Sequence, residues 1–267
     1  MKVTHLTTVH SRYDTRIFKK QCISLSKKHE VSLVVADGKG NERVNGVAIL
    51  DVGKKANKLK RVFLSTIAVF RIAKGLDQDS YHIHEPELMW VGYVLKSVYS
   101  KNVIFDSHED VPRDIKEKKW INKHIRNLMA FFYVFFEKIL LKKYSAIITS
   151  TDFILERMLK INKNSFSIKN FPILENSRVT DSEKFNDELV FCYVGSISVQ
   201  RGIFEMLELV SRLNFKLHLA GSFTDERTMQ TAKEHKGWEN VVYHGYVNKA
   251  EMEVIYSECT CGLLLLH

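Results

Sequence analysis

Tyr81-His82-Ile83-His84-Glu85-Pro86-Glu87-Leu88 and, one helix length later, Asn102-Val103-Ile104-Phe105-Asp106-Ser107-His108-Glu109-Asp110 decide how this chain folds. Each begins as a strand candidate and runs out into a cluster of ionisable residues. The segment between them, residues 88–99, has helical length, so the unit reads strand, helix, strand, with the two strands parallel. In open α/β sheets ligands bind outside the carboxyl ends of the strands, which is where both polar clusters fall. The chemistry of the protein is therefore expected at Glu85 and Glu87 and across residues 106–110.

Towards the N-terminus, residues 2–9 form a β-branched strand, 10–15 a polar loop carrying Arg12 and Asp14, 16–28 an amphipathic helix opening on Arg16, and 30–36 a second strand. This βαβ opening lacks the Gly-x-Gly-x-x-Gly turn of a dinucleotide site, which removes the main support for an NAD or FAD enzyme. Residues 46–52 give a further strand, and 62–76 a helix. Between them, residues 54–61 hold five cations and no acid, either a solvated helix start or a patch for phosphate or lipid headgroups.

Towards the C-terminus, residues 116–143 read as a long helix with basic ends and an apolar middle, 128–136. The uncharged run is far short of the roughly 20 residues that a bilayer span requires. Such a helix either lies in a membrane interface or packs on the sheet with its lysine stems along the apolar surface. Strands at 145–150 and 165–170 flank a helix at 152–160. Residues 173–188 read as a linker, and 189–267 restart the pattern: strand, the loop Gly195-Ser196-Ile197-Ser198-Val199-Gln200-Arg201-Gly202, helix, and three further strands, the last at 261–266. The expected organisation is a first domain over 1–172 and a second, incomplete one over 189–267, because the sequence stops directly after an apolar strand.

The 267 residues are 45% hydrophobic and 27% charged, the composition of a globular chain and not of a disordered or fibrous one. The net charge of +9 is unevenly placed: residues 1–172 hold 31 Lys and Arg against 17 Asp and Glu, or +14, and residues 173–267 hold 9 against 14, or −5. A basic front half implies an anionic partner for that half alone. Four scattered cysteines give neither a disulfide framework nor a full zinc set, Cys259-x-Cys261 being two thiols without a second pair, and no leader pattern precedes the first strand. A reducing, cytoplasmic setting is expected.

With both halves read, the chain resembles the family 4 glycosyltransferases of GT-B fold, in particular those that build bacterial surface polysaccharides. The resemblance rests on residues 11–20 after the first strand, on residues 81–88, on residues 103–110, and on the loop from Gly195 to Gly202. It implies an α/β chain of two Rossmann-like domains, the second incomplete, that moves a sugar from a UDP- or GDP-sugar to a lipid-linked acceptor with retention, without a required cofactor or metal. The first domain would hold the acceptor and sit on an anionic membrane, at the cytoplasmic face. His108, with Glu109 beside it, matches the family's catalytic histidine. Acceptor-side contacts fall to Arg12, Asp14, Arg16, His84, Glu85 and Glu87, with helix capping as the other reading for Glu85 and Glu87. Donor contacts fall to Gly195, Ser196, Arg201 and Gly202, with Tyr246 and Val247 receiving the base. Ser196 stands where many relatives carry a second cation, a charge that Arg12 or Arg16 would supply. The family's Glu-x7-Glu segment would lie beyond His267, so weak nucleotide binding and no transfer are expected of residues 1–267. The rivals are a non-catalytic membrane partner and a sugar-nucleotide epimerase of the same fold. A nucleic-acid binder is disfavoured, since no recognition-helix or stacking motif is present.

Overall fold

The computed structural model describes residues 1–54, 57, 61–118, 120–172 and 189–265. Most of the basic run 54–61, the linker at 173–188 and the last two residues lie outside them. The chain divides into two compact units, Met1–Ile173 and Leu174–His267.

The first unit is built on an eight-stranded sheet in the order β3-β4-β2-β1-β5-β6-β7-β8. Its strands are β1 (Lys2–Leu6), β2 (Glu30–Val35), β3 (Glu42–Val44), β4 (Val47–Asp51), β5 (Ser80–Ile83), β6 (Asn102–Ser107), β7 (Ala146–Thr149) and β8 (Ser165–Ser167). All neighbours are parallel except the edge pair β3 and β4. The chain winds outward from β1 to β2 and then returns to place β5 on the other side of β1. The boundary between β1 and β5 is thus the switch point where strand ends splay and a crevice opens.

The sheet's two faces differ. One is apolar: Leu6, Tyr81, Ile83, Val103 and Phe105 are buried against α2 (Thr66–Leu76) and α3 (Met89–Ser97), which follow α1 (Ile23–Ser26). The opposite face is apolar only over β2 and β4, where Ile17, Phe18 and Cys22 pack on Val31, Leu33 and Val47. Over β1, β5 and β6 the same face carries His5, His82, His84 and Asp106, all buried. Strand register enforces this, since His5 pairs with His82 and successive residues alternate faces.

The helix expected at 16–28 is a π-helical stretch, Thr15–Cys22, that runs into α1. Asp14 caps it, accepting from the backbone N–H groups of Arg16 and Ile17 at 2.8 Å. Wider turns bring residues five apart onto one side, so Arg16 and Gln21 both reach down to Asp106. The long helix expected at 116–143 is two: α4 (Val111–Glu117) and α5 (Lys123–Leu141), separated where Asn122 caps α5 by accepting from His124 N–H. α6 (Asp152–Leu159) completes the unit.

The second unit has a parallel sheet, β11-β10-β9-β12, from β9 (Val190–Val194), β10 (Lys216–Ala220), β11 (Val241–Gly245) and β12 (Cys261–Gly262). With α7 (Ile203–Leu213), α8 (Glu226–Glu234) and α9 (Lys249–Glu258) it repeats the βα alternation. Its core is Ile197, Met206, Leu207, Val210, Leu217 and Leu219. The final strand is shorter than the sequence suggests, pairing with β9 at only two positions, Cys261 and Gly262.

Candidate functional site

At the β1/β5 switch point the first unit opens a cavity of about 370 Å³ lined by His10, His84, Glu85, Glu87, Asp106, His108, Glu109, Asp114, Lys118 and Tyr133, among others. The strand ends deliver these side chains: β1 leads to His10, β5 to His84 and Glu85, and β6 to Asp106 and His108.

Asp106 anchors the floor. Arg16 holds it in a two-pronged contact, Nε to Oδ2 at 3.0 Å and Nη2 to Oδ1 at 2.7 Å, and Gln21 donates to Oδ2 at 2.7 Å. Burial raises the carboxyl's pKa, but His84 and Arg16 outweigh it and hold Asp106 well below the usual range. The His84 Nδ1 stands 3.6 Å from the Asp106 carboxylate, just beyond hydrogen-bond distance. On its other side His84 Nε2 meets His5 Nδ1 at 2.9 Å. The two rings are within 13° of parallel with centroids 5.2 Å apart, the arrangement of imidazoles meeting edge to edge through one shared proton. Burial first, and neighbouring imidazoles second, depress His82 to about 3, and burial, partly offset by Asp106, takes His84 to about 4. The imidazoles are neutral at physiological pH.

His5, His82 and His84 each bring a ring nitrogen within 4.8 Å of the others, which raises the question of a metal. In a tetrahedral zinc site nitrogens about 2.0–2.1 Å from the ion stand roughly 3.4 Å apart with lone pairs converging on it. Here the closest pair aim at each other with a proton between, and the Arg16 guanidinium adds a cation nearby. The geometry is that of a hydrogen-bonded imidazole cluster.

Above this floor, Glu85 is 4% exposed. It accepts from the Thr7 hydroxyl and, at 3.2 Å, from Thr8 N–H. Glu87 accepts from the Thr8 hydroxyl at 3.0 Å. Glu85, the N-cap residue of the short 3-10 turn Pro86–Leu88, makes no side-chain cap, and it and Glu87 both reach back to the loop after β1. Burial pushes Glu85 up to about 7, against the opposing effect of Thr7 and of His10. His10, in the same loop, lies 3.7 Å from Glu85 and 3.5 Å from Asp14. Its ring is 5.1 Å from that of His108. His108 is half-buried, with Nδ1 at 3.3 Å from the Asp106 carbonyl, and Glu109 beside it is exposed.

The sequence-named residues therefore part company. His84, Glu85, Glu87, His108 and Glu109 share one cavity. Asp14 serves as a helix cap and as a partner of His10; burial pushes its carboxyl up, and the hydrogen bonds from His10 and the backbone bring it down to about 2. Arg12 is committed elsewhere: it grips Asp37 at 2.6 and 2.8 Å and Glu42 at 2.5 Å, tying the loop after β1 to the β2–β3 connection. Neither Arg12 nor Arg16 stands as a spare cation. His10, Thr7 and Thr8 were not singled out by the sequence; their signal was only position, directly after the first strand.

In the second unit the loop after β9 is shaped by main chain. A Cβ at Gly221, φ 138°, would stand 1.7 Å from the Gly195 carbonyl oxygen, so glycine is what lets the loops after β9 and β10 touch. Gly202, φ 70°, starts α7 in the left-handed region, where a Cβ would fall 2.6 Å from Leu265. The first turn of α7 has no side-chain cap. Ser196 and Arg201 are exposed beside it, and the Ser196 carbonyl accepts from Tyr193 at 2.8 Å. Tyr246 is 83% exposed beyond β11, whereas Val247 packs inward on Cys192 and Ile255. Cys259 is half-buried and Cys261 exposed, as thiols.

No family model and no curated protein sequence matches the chain. Its structure does match solved ones. Sucrose-phosphate synthase from Thermosynechococcus elongatus is similar at TM-score 0.69 and 15% identity, over 97% of this chain and 74% of that one. WaaG, a glycosyltransferase involved in lipopolysaccharide biosynthesis, is similar at TM-score 0.68 and 12% identity, over 100% and 75%. Anabaena HepE, solved in complex with UDP and glucose, is similar at TM-score 0.65 and 10% identity, over 98% and 73%. The chain has the GT-B fold of these enzymes.

Proposed function

We propose that this protein is a glycosyltransferase that moves a sugar, with retention, from a nucleotide sugar to a hydroxyl of a lipid-linked saccharide in surface-polysaccharide assembly. The observation that carries this reading is the first-unit cavity, where Glu85, Glu87, His108 and Glu109 converge at a switch point in a GT-B fold. Their acceptors and donors suit a polyhydroxylated ligand. For the donor, the open N-terminus of α7 and Arg201 suit a diphosphate, since uncapped N–H groups and a guanidinium both favour anions. The glycosyltransferase neighbours, one holding UDP and glucose, support a UDP-sugar first among donors. No cofactor beyond the donor enters the scheme.

The test is calorimetry with UDP and GDP, followed by transfer from their sugars to lipid-linked saccharides. Binding of one nucleotide, weakened roughly tenfold or more by Arg201→Ala through loss of a charge-assisted hydrogen bond, is expected. Failure of both nucleotides to bind at millimolar concentration would remove the donor assignment.

The same proposal places the protein on the cytoplasmic face of a membrane. α5 buries only a narrow stripe, Ala130, Glu137 and Leu141, and leaves Ile125, Leu128, Phe131, Phe132, Phe135 and Phe136 among its exposed residues. Lys116, Lys118, Lys123, Lys138 and Lys142, on α5 and just before and after it, are exposed as well. No described helix is long and apolar enough to cross a membrane. An exposed apolar helix surface with lysines towards both ends fits the boundary of an anionic bilayer, each cation contributing about 1 kcal/mol. Vesicles rich in anionic lipid should be bound, less so in salt, and Phe132→Glu should weaken binding; equal binding to neutral vesicles would count against it.

A further inference from the structure

We propose that Glu85 and His10 form the proton-handling pair of the first-unit cavity, Glu85 taking the proton of the acceptor hydroxyl and His10 governing when Glu85 is ionised. This rests on the glycosyl-transfer reading above.

Two buried carboxylates lie at neighbouring strand ends and are treated differently. Asp106 is closed off: a guanidinium and an amide occupy both its oxygens, and 0% of it is exposed. Such a group is fixed in its charge and serves structure. Among the described residues, no guanidinium or ammonium contacts Glu85. Its partners are a hydroxyl, one backbone N–H and, at 3.7 Å, the edge of His10, and it lines the cavity. A carboxylate has room for about four hydrogen bonds, so Glu85 keeps capacity for a ligand hydroxyl. Burial, the largest influence on it, sets it near pH 7, where a base is most effective.

His10 is the adjustable neighbour. The Asp14 carboxylate at 3.5 Å raises its proton affinity, aided by Glu85 and Glu109 and opposed by burial. An imidazolium at this place favours ionised Glu85, whereas Glu87 opposes it. The remaining titratable group against His10 is His108, ring to ring at 5.1 Å. His10 thus couples the charge of Asp14 at the helix cap to that of Glu85.

In the transfer step the acceptor O–H gives its proton to a Glu85 oxygen, which becomes neutral. The oxygen's electron pair forms the bond to the anomeric carbon of the nucleotide sugar on the same face that the diphosphate leaves, so that configuration is retained. The bond from that carbon to the diphosphate oxygen breaks, and its pair leaves with the nucleoside diphosphate.

The experiment has two arms. In the first, the side-chain carboxyl of Glu85 is followed by carbon NMR across pH in the whole protein and in His10→Gln. A midpoint near 7 that moves upward in His10→Gln is expected, because the variant removes the cation that favours the carboxylate. A midpoint in the ordinary glutamate range, or one indifferent to His10, overturns the pair. In the second arm, transfer is measured against pH. Glu85→Gln, which keeps the shape, should lower kcat by about 10² to 10⁴ and abolish the fall in rate below pH 7, with donor KM nearly unchanged. His10→Gln should shift that limb upward and recover in alkali, which a merely structural role would not produce. Parent rates in Glu85→Gln overturn the assignment. A protein that binds neither UDP nor GDP, yet shows the coupled titration, keeps the pair and loses the glycosyl-transfer reading, so the two failures are distinguishable.

Discussion

At the carboxyl ends of β1, β5 and β6 the first unit presents side chains: imidazoles, carboxylates and hydroxyls, most of them buried. At the ends of β9, β10 and β11 the second unit presents glycines, with Gly221 N–H donating to the Gly245 carbonyl at 2.6 Å and Gly195 N–H to Ala220 at 2.9 Å. Both sheets are wound in the same way and are parallel but for the edge pair β3 and β4, yet one puts titratable groups at its strand ends and the other puts backbone. On the function proposed above, the physical reason is what each would bind. A hydroxyl that must lose a proton needs a group whose charge is adjustable, while a phosphate needs only N–H groups held at the right distance. The first kind of site is built at a cost in buried charge, the second at a cost in chain freedom.

The comparison is broken most severely at Arg16. Arg16→Met leaves the Asp106 carboxylate buried without its cation, a change that typically costs about 3 to 5 kcal/mol. Unfolding followed in urea should show the first unit, reported by Trp90 and Trp120, melting early, while Trp238 in the second unit is unaffected. Equal loss in both units, or none in the first, would mean that the buried charge does not organise that half. Asp106→Leu combined with Arg16→Met should recover much of the loss, since it removes the stranded charge as well.

A smaller effect is expected from the opposite kind of change. Gly221→Ala forces a Cβ into the Gly195 carbonyl and should destabilise the second unit by about 1 to 3 kcal/mol, the usual range for overpacking. Gly245→Ala meets no atom within 4 Å and serves as the control for its own positive φ of 66°. If the two substitutions are equivalent, the close approach of the loops after β9 and β10 is not what the glycine provides.

The smallest expected effect is a slope. His5, His82 and His84 have folded values below the unfolded 6.5, so the unfolded chain binds more protons below that pH and stability is lost as pH falls from about 6.5 towards 4. Each imidazole contributes at most about 1.4 kcal/mol per pH unit. Glu85, whose folded value is raised, acts in the reverse sense between about 4.5 and 7 and flattens part of this curve. Replacing His82 with Phe should reduce the acid slope of the first unit by about one proton, as read from urea midpoints between pH 4 and 7. An unchanged slope would show that His82 already carries a proton in the folded state.

Much of this architecture was legible in the residues. The period-2 strands and the helix between them gave the parallel unit at 81–112, and the ionisable residues closing each strand located the cavity, because the carboxyl ends of parallel strands are where a chain must stop pairing and turn. The Glu85 and His108 neighbourhoods followed from that alone. The π-helical turn at Thr15–Cys22 did not follow, since a shift from four to five residues per hydrogen bond leaves no mark on an amphipathic pattern. The break between α4 and α5 rested on one asparagine within a run of good helix formers, and propensity summed over the run hid it.

The outward face of α5 shows the same limit more sharply. Its apolar middle left two readings open, a helix in a membrane interface or one packed on the sheet; the buried stripe includes Glu137, paired with Arg157, and the phenylalanines face solvent. Periodicity reports that a helix has faces; it does not report which face the rest of the chain covers. The sequence by itself determined the α/β class, the βα alternation of most elements, and the strand ends where ionisable residues gather. Only the tertiary structure decided that Arg12 and Arg16 are spent on Asp37, Glu42 and Asp106, that His10 joins Glu85, and that three histidines from two strands lie together. Those facts are pairings between residues far apart in the chain, and what selects a partner is the register and packing of the sheet.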